Sequence, residues 1–135
     1  MKITSIDVWT VVVPTIPGRV HSSEWVPETK WDQVPKSIIR LNTDTELCGI
    51  GETGRGVPPE DAVAGGSQLL ARDPESLMLQ DVLGRPGDSG DHYPSVGQGA
   101  AYEALEMAVF DLVGKARGVP VHALLGGAVR TRVRA

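Results

Sequence analysis

The chain has 135 residues, of which 41% are hydrophobic, 22% are charged and 4% are aromatic, and its formal net charge is −4. This length and balance are typical of one globular domain that buries roughly two-thirds of its unfolded surface. The negative charge disfavours nucleic acid as a partner, because phosphate binding needs a basic surface. No apolar run is long enough to span a membrane, and the secretory pattern is missing at the start, so we expect a cytoplasmic protein.

The first half of the chain has the pattern of three β-strands. Residues 3–13 alternate and then run apolar as far as Pro14, which predicts a strand. Residues 37–42 and 46–52 predict two more strands, joined by a short turn, so the three strands would form an antiparallel meander. Residues 14–36 contain several prolines and show no period. Loops of this length are usually binding loops or disordered segments.

The second half of the chain has helical patterns. Prolines and acidic residues at positions 58–61 are typical of a helix start, and they predict a helix that reaches about Arg72, weakened by Gly65 and Gly66. A second short helix begins at Pro74 and ends near Leu83, and the glycine-rich residues 84–99 predict a loop. Residues 100–117 carry an apolar stripe at helical spacing that stops before Gly118. Strands followed by helices indicate an α+β fold.

The last third of the chain also resembles a known family. The string ALEMAVFDLVGKARGVP at 104–120, continued by LLGG at 124–127, looks like the end of the N-terminal capping domain of the enolase superfamily, in its mandelate racemase and muconate-lactonizing branch. The opening MKITSIDV and the GIGE at 49–52 are similar to the first and third strands of that domain. The resemblance implies a three-stranded antiparallel meander followed by a helical bundle over residues 1–128.

The resemblance implies a function as well. The catalytic residues of this family lie on a (β/α)8 barrel of about 250 residues, which we expect to be absent from this chain. Residues 129–135, with Val129 and Val133, would be the start of a truncated barrel segment and an unpaired strand. The chain would then be the substrate-capping and specificity domain of a Mg-dependent racemase, cycloisomerase or acid-sugar dehydratase that abstracts a proton α to a carboxylate. We predict no catalytic residue, metal ligand or cofactor in this chain, because the Mg²⁺ is expected in the barrel.

Two loops carry the candidate substrate contacts. The first, within residues 15–36, contains Arg19, His21 and Trp25, and the second, at 52–57, contains Thr53 and Arg55. From composition alone an ordinary exposed loop is the simpler interpretation, although a cation, hydroxyls and an aromatic ring suit a polar organic ligand under a lid. The resemblance implies that both loops close over the mouth of the barrel and select a small carboxylate substrate. The expected partner is the missing barrel domain, or else the chain self-associates.

Other patterns in the chain indicate no chemistry. The G-x-G-x-x-G at 49–54 matches a dinucleotide-binding turn, but Pro58 and Pro59 delay any helix, so a nucleotide-binding oxidoreductase rests on this match alone. Four carboxylates lie on loops or at a helix start, where a metal site lacks rigid support: Glu24, Glu28, Glu52 and Asp61. Cys48 is expected to be a buried, inert thiol. A free-standing interaction or small-ligand-binding module, without chemistry, is the alternative function.

Overall fold

The computed structural model describes residues 1–17, 32–83 and 101–132. Its elements are β1 (Ile3–Pro14), β2 (Gln33–Thr43), β3 (Cys48–Glu52), α1 (Pro59–Ser67), α2 (Leu79–Leu83), α3 (Tyr102–Arg117) and α4 (Val121–Leu124). The strands form one antiparallel sheet in the order β1-β2-β3. The α+β fold, a meander followed by helices, is therefore confirmed. Within the described residues, no helix is both long and apolar enough to cross a membrane.

The helices cover one face of the sheet, which we call the inner face. Ile39 and Leu41 of β2 lie on this face and are fully buried, because side chains two positions apart on a strand share a side. Leu105 and Leu112 of α3 meet them from the helix side and are also fully buried. The outer face, opposite the helices, carries the alternate residues of each strand. The amphipathic stripe predicted for 100–117 is therefore the core-facing side of α3.

Helix α3 approaches β3 backbone to backbone. A Cβ added to Gly51 would lie 1.9 Å from the carbonyl oxygen of Ala104, and one added to Gly49 would lie 2.0 Å from that of Ala108. Only glycine leaves room for such an approach, since any side chain at these positions would enter the helix backbone. The two glycines of the G-x-G pattern thus serve helix packing. After Glu52 the chain runs through residues 53–58 before α1 begins, which is unlike a dinucleotide-binding turn.

Strand β2 begins at Gln33, four residues earlier than the prediction of Ser37. The added residues pair with the end of β1, where Val12 lies opposite Pro35 and Val13 opposite Val34. Pro35 is tolerated because β3 extends only as far as the position opposite Ile38, so the missing N–H would have faced no strand. The predicted loop at 14–36 is correspondingly shorter.

Two further sequence predictions are wrong in their limits. Helix α1 ends at Ser67 rather than near Arg72, because Ala71 N donates to Ile3 O at 2.8 Å and Ile3 N donates to Arg72 O at 3.0 Å. The second helix covers only Leu79–Leu83, and residues 74–78 precede it as a turn followed by two residues without regular structure. Residues 129–132 are not paired with any described strand and Val133 lies outside the described residues, so the start of a barrel segment at 129–135 stays a prediction.

Two smaller findings also differ from expectation. Cys48 is a free thiol but is only half-buried, since it lies on the outer face. The short helix α4 was not predicted, because four residues are too few to show a helical period. By contrast, the predicted stop of α3 is confirmed: Gly118 is left-handed, with φ 65°, and its N–H reaches the Gly114 and Lys115 carbonyls.

Candidate functional site

The sheet brings the bases of both predicted substrate loops to one end. β1 ends at Pro14 and β3 ends at Glu52, while β2, which runs in the opposite direction, begins at Gln33. Thr15 N donates to Asp32 O at 3.0 Å and closes the β1–β2 ribbon at this end. We call this end of the sheet the loop edge. The antiparallel order therefore supplies a rigid base from which both loops leave the same side of the domain.

Of the five residues predicted to contact the substrate, the structure describes Thr53 and Arg55. Arg19, His21 and Trp25 lie outside the residues that the structure describes. Thr53 is 1% exposed, its Oγ1 accepts a hydrogen bond from Ser37 N at 2.8 Å, and its own N–H donates to Ser37 O at 2.9 Å. Arg55 is exposed in the turn that follows. Substrate contact by any of these residues stays a prediction.

The Thr53 contacts show how the second loop is anchored. Its hydroxyl oxygen takes the place of a backbone carbonyl as the acceptor for Ser37 N–H. This hydrogen bond extends the β2–β3 pairing by one residue beyond Glu52. Burial of this hydroxyl is tolerated because it is hydrogen-bonded. Gly56, with φ +78°, then provides the left-handed residue that reverses the chain toward α1. The loop carrying Arg55 is thus fixed at its base to the strand that leads from the first loop.

An ion pair that sequence reasoning missed lies at the loop edge. Lys36 Nζ contacts Glu52 Oε1 across β2 and β3, with side chains 29% and 48% exposed. Glu52 was grouped with the carboxylates of loops and helix starts, whereas it is the last residue of β3. Its pairing was not expected because the early start of β2, and so the strand position of Lys36, was not predicted. A pair this exposed contributes at most about 1 kcal/mol, so its main effect is to hold two charges in place.

The outer face of the sheet carries a polar network near its centre. Asp7 Oδ2 accepts hydrogen bonds from Asn42 Nδ2 at 2.8 Å and from the Arg40 guanidinium at 2.7 Å and 3.1 Å. The hydrogen bond from Asn42, followed by that from Arg40, lowers the pKa of Asp7 below its ordinary value of 3.8. The Arg40 guanidinium also lies 5.0 Å from the centroid of the Trp9 ring. This network holds Trp9 in a defined position on the exposed face.

A second exposed surface is formed by α3 and α4, on the side of α3 turned away from the sheet. Its apolar residues include Met107, which is 47% exposed, and Leu125, which is 65% exposed, together with Phe110, Val121 and Ile50. We call this surface the α3–α4 face. It contains two open clefts, of about 540 Å³ beside the 74–79 segment and about 400 Å³ beside Ile50.

Ionisable side chains lie near these clefts. Burial, with a smaller effect from the Glu106 carboxylate, raises the pKa of Tyr102, which lines the larger cleft. Among residues 1–17, 32–83 and 101–132, no three His, Cys, Asp or Glu side chains lie close enough to hold an ion. The described residues therefore include none that we assign as a metal ligand.

Comparison with known proteins places the chain in a family. The family model for the mandelate racemase / muconate lactonizing enzyme N-terminal domain matches residues 28–126. A D-galactonate dehydratase from Variovorax paradoxus is 33% identical over 120 residues, which are 86% of this chain and 29% of that protein.

Solved structures show the same relationship. An enolase from Streptomyces coelicolor aligns with a TM-score of 0.76 and 33% identity, over 96% of this chain and 33% of that one. An enolase from Pseudomonas fluorescens Pf0-1, with bound magnesium, potassium and tartrate, aligns with a TM-score of 0.67 and 28% identity, over 96% of this chain and 32% of that one. The chain thus spans about a third of the length of these relatives. It belongs to the mandelate racemase / muconate lactonizing enzyme N-terminal domain family of the enolase superfamily.

Proposed function

We propose that this chain is the substrate-capping and specificity domain of a larger Mg²⁺-dependent enzyme of the enolase superfamily. The enzyme would abstract a proton α to the carboxylate of a small acid, and dehydration of an acid sugar is the reaction that we favour. The observation that carries the proposal is the convergence of two loop bases on one rigid sheet edge, in a chain of this family that spans about a third of its relatives. The cap is not catalytic by itself.

The relatives support the choice of reaction. The Variovorax protein with which this chain shares 33% identity is named for the dehydration of D-galactonate. The Pseudomonas structure holds magnesium together with tartrate, which is a small hydroxy acid. We place the corresponding Mg²⁺ on residues of the barrel, and we assign none of the described residues here as its ligand. The cytoplasmic location expected from the sequence stays a prediction.

The two loops would supply the specificity. Arg55 is exposed beyond the anchored Thr53, and its guanidinium would contact a carboxylate or hydroxyl oxygen of the substrate. Arg19, His21 and Trp25 would contact the same ligand from the first loop. Thr53 itself is buried, and its hydroxyl bonds Ser37, so its share in binding would be to hold the loop.

The α3–α4 face would be covered by the barrel. Exposed apolar side chains grouped on one surface usually mark an interface. Leu125 and Met107 are among them, and Leu125 comes shortly before residues 129–132, through which the chain would continue into the barrel. The proposal therefore gives the two ends of the domain different tasks, with ligand contact at the loop edge and domain contact at the α3–α4 face.

A chimaera tests the proposal. Residues 1–128 replace the corresponding cap of the Variovorax D-galactonate dehydratase, and dehydration of D-galactonate and a panel of acid sugars is measured with Mg²⁺ and with a chelator. We expect Mg²⁺-dependent dehydration of at least one acid sugar. Arg55→Ala should raise KM roughly 10–100-fold with a smaller change in kcat, because a charged hydrogen bond is lost. Arg72→Ala, at the opposite end of the sheet, is the matched control and should leave KM unchanged.

Several outcomes would contradict the proposal. One is a folded chimaera that dehydrates no member of the panel, although the parent enzyme is active in the same assay. Another is an equal effect of Arg55→Ala and Arg72→Ala on KM. Turnover of any acid sugar by the purified 135-residue chain would also refute a cap without catalysis, and saturable ligand binding to that chain without a barrel would favour the free-standing binding module.

A further inference from the structure

The two edge strands of the sheet, β1 and β3, differ in whether their outward backbone groups are hydrogen-bonded. At the β3 edge, Ile50 N donates to Asp111 Oδ2 at 2.9 Å, and Lys115 Nζ donates to Cys48 O at 2.8 Å. Asp111 and Lys115 also bond each other at 2.6 Å. Side chains of α3 thus satisfy the outward backbone groups of β3, which is one way in which proteins protect an edge strand.

Among residues 1–17, 32–83 and 101–132, nothing protects the β1 edge in this way over most of its length. Within these ranges, Ile3 at the start of β1 is the residue whose backbone is paired on the outer side, through Ala71 and Arg72. The direction of the backbone N–H and C=O groups in the rest of β1 follows from Ser37 of β2. The N–H and C=O of Ser37 both face Thr53, on the β3 side. Thr10 lies opposite Ser37, so its own N–H and C=O face outward, because the groups of antiparallel neighbours alternate between the two sides.

The alternation defines an open stretch of four residues. Ile6, Val8, Thr10 and Val12 direct their N–H and C=O groups away from β2. In the part of the chain that the structure describes, none of these groups makes a backbone hydrogen bond beyond the sheet. The segment VWTVVV at 8–13 also contains no charge, proline or glycine, which are the usual defences of an exposed edge.

We propose that this edge pairs with β1 of a second copy of the same chain, antiparallel and about a twofold axis at Trp9. In this register, Val8 lies opposite Thr10 of the partner subunit and Ile6 opposite Val12 of the partner subunit. Both N–H and C=O of all four open residues then find partners. The product is a continuous six-stranded sheet whose two outer edges are the protected β3 strands.

Side chains on the outer face fit the same register. Trp9 lies beside Ile38 on β2, so an apolar row of these two residues continues across the axis into Trp9 of the partner subunit. Directly opposed aromatic residues in such non-hydrogen-bonded pairs are favourable. Trp9 is 45% exposed and is already held by Arg40. Asp7 falls opposite Val11 of the partner subunit, so no like charges are opposed.

Neighbouring registers fit less well. Centring the axis on Thr10 places Ile6 opposite Pro14 of the partner subunit, which has no N–H to donate. Centring it on Asp7 opposes two carboxylates and places Val12 opposite Lys2 of the partner subunit, which lies outside β1. Self-complementarity in hydrogen bonds and in charge thus favours a second copy as the occupant of this edge, in the register at Trp9.

Sedimentation velocity and cross-linking of the 135-residue chain test the proposal. In a Cys48→Ser background, Trp9→Cys should form a disulfide-linked dimer on mild oxidation, because residue 9 faces its own copy across the axis. Val13→Cys, on the same strand and face and 46% exposed in the native residue, is the matched control and should not cross-link. Thr10→Pro removes one intermolecular hydrogen bond from each subunit, two in the dimer, and leaves the β1–β2 hydrogen bonds intact. It should raise the dissociation constant of the dimer roughly 30-fold.

The β1 edge is distinct from the α3–α4 face. The proposed dimer and the proposed contact with the barrel can therefore be refuted independently. Leu125→Asp, on that face, should leave the dimer unchanged. A monomeric wild-type chain would overturn the inference, as would equal cross-linking of the Trp9→Cys and Val13→Cys chains. A dimer abolished by Leu125→Asp but not by Thr10→Pro would overturn it too, and would assign association to the face that we propose for the barrel.

Discussion

Substitution of Gly51 by alanine tests the close contact between α3 and β3. The new Cβ would lie 1.9 Å from the Ala104 carbonyl oxygen, whereas ordinary contact begins at 3.4 Å, so helix and strand must separate by about 1.5 Å. The atom that is met belongs to backbone and cannot rotate away. Moving α3 would also loosen Leu105 and Leu112, which are both fully buried.

The magnitude follows from two opposing effects. Gly51 does not have a positive φ, so alanine can adopt its backbone conformation and would stabilise the fold by about 0.4–1 kcal/mol through the unfolded state. Overpacking against a fixed neighbour costs about 1–3 kcal/mol and sometimes more. Because the contact is made to backbone, we expect the upper part of that range and a net loss of about 2 kcal/mol in the free energy of unfolding.

Urea denaturation followed by circular dichroism measures this loss. A net loss of this size corresponds to a fall in Tm of roughly 6–10 °C for a domain of this length. Gly54→Ala is the matched control, since the nearest atom to its new Cβ is Val57 Cγ2 at 3.9 Å and its φ is not positive. That variant should be as stable as the wild type or slightly more so. Equal stability of the Gly51→Ala and Gly54→Ala chains would refute the close packing of α3 on β3.

Three further predictions concern single polar groups. Asp7→Asn should destabilise the fold at neutral pH but not at low pH: the folded-state pKa of Asp7 is depressed, so its contribution is present above 3.8 and is lost as the pH falls through the lower folded value. Urea titrations at both pH values check this, and a constant difference would contradict it. Asp111→Ala should cost about 0.5–1.5 kcal/mol and speed hydrogen exchange of the Ile50 amide, and unchanged exchange would show that the β3 edge is protected in another way. Thr53→Val keeps the volume but leaves Ser37 N–H without its acceptor, so it should cost about 1–3 kcal/mol in the free energy of unfolding, whereas Thr53→Ser should retain most of the stability.

The elements that could be predicted are those with a strong local pattern. Helix α3 has an apolar stripe over 16 residues and a glycine stop, and the structure places both its buried side and its end at Gly118 as expected. Strand β1 was predicted to within one residue, because its alternation and its final proline are both local signals. Family membership was also visible in the string at 104–127 and in the order of the earlier segments.

The elements that could not be predicted depend on partners distant in the sequence. The early start of β2 depends on its pairing with the end of β1, and Pro35 concealed it. The early end of α1 depends on hydrogen bonds between Ala71, Arg72 and Ile3. The burial of Thr53 likewise depends on Ser37, sixteen residues away. None of these long-range contacts can be read from a window of neighbouring residues. The turn after β3 was therefore predicted, while the anchoring of Thr53 to Ser37 was not.

The sequence by itself determined the α+β class, the order of the strands and the face of α3 that is buried, because each depends on hydrophobic spacing along a short stretch. Only the tertiary structure decided why Gly49 and Gly51 must be glycines, how side chains of α3 bond the β3 edge and which groups anchor the loop edge. These features arise when backbones far apart in the chain come within contact distance, and local spacing carries no information about that distance.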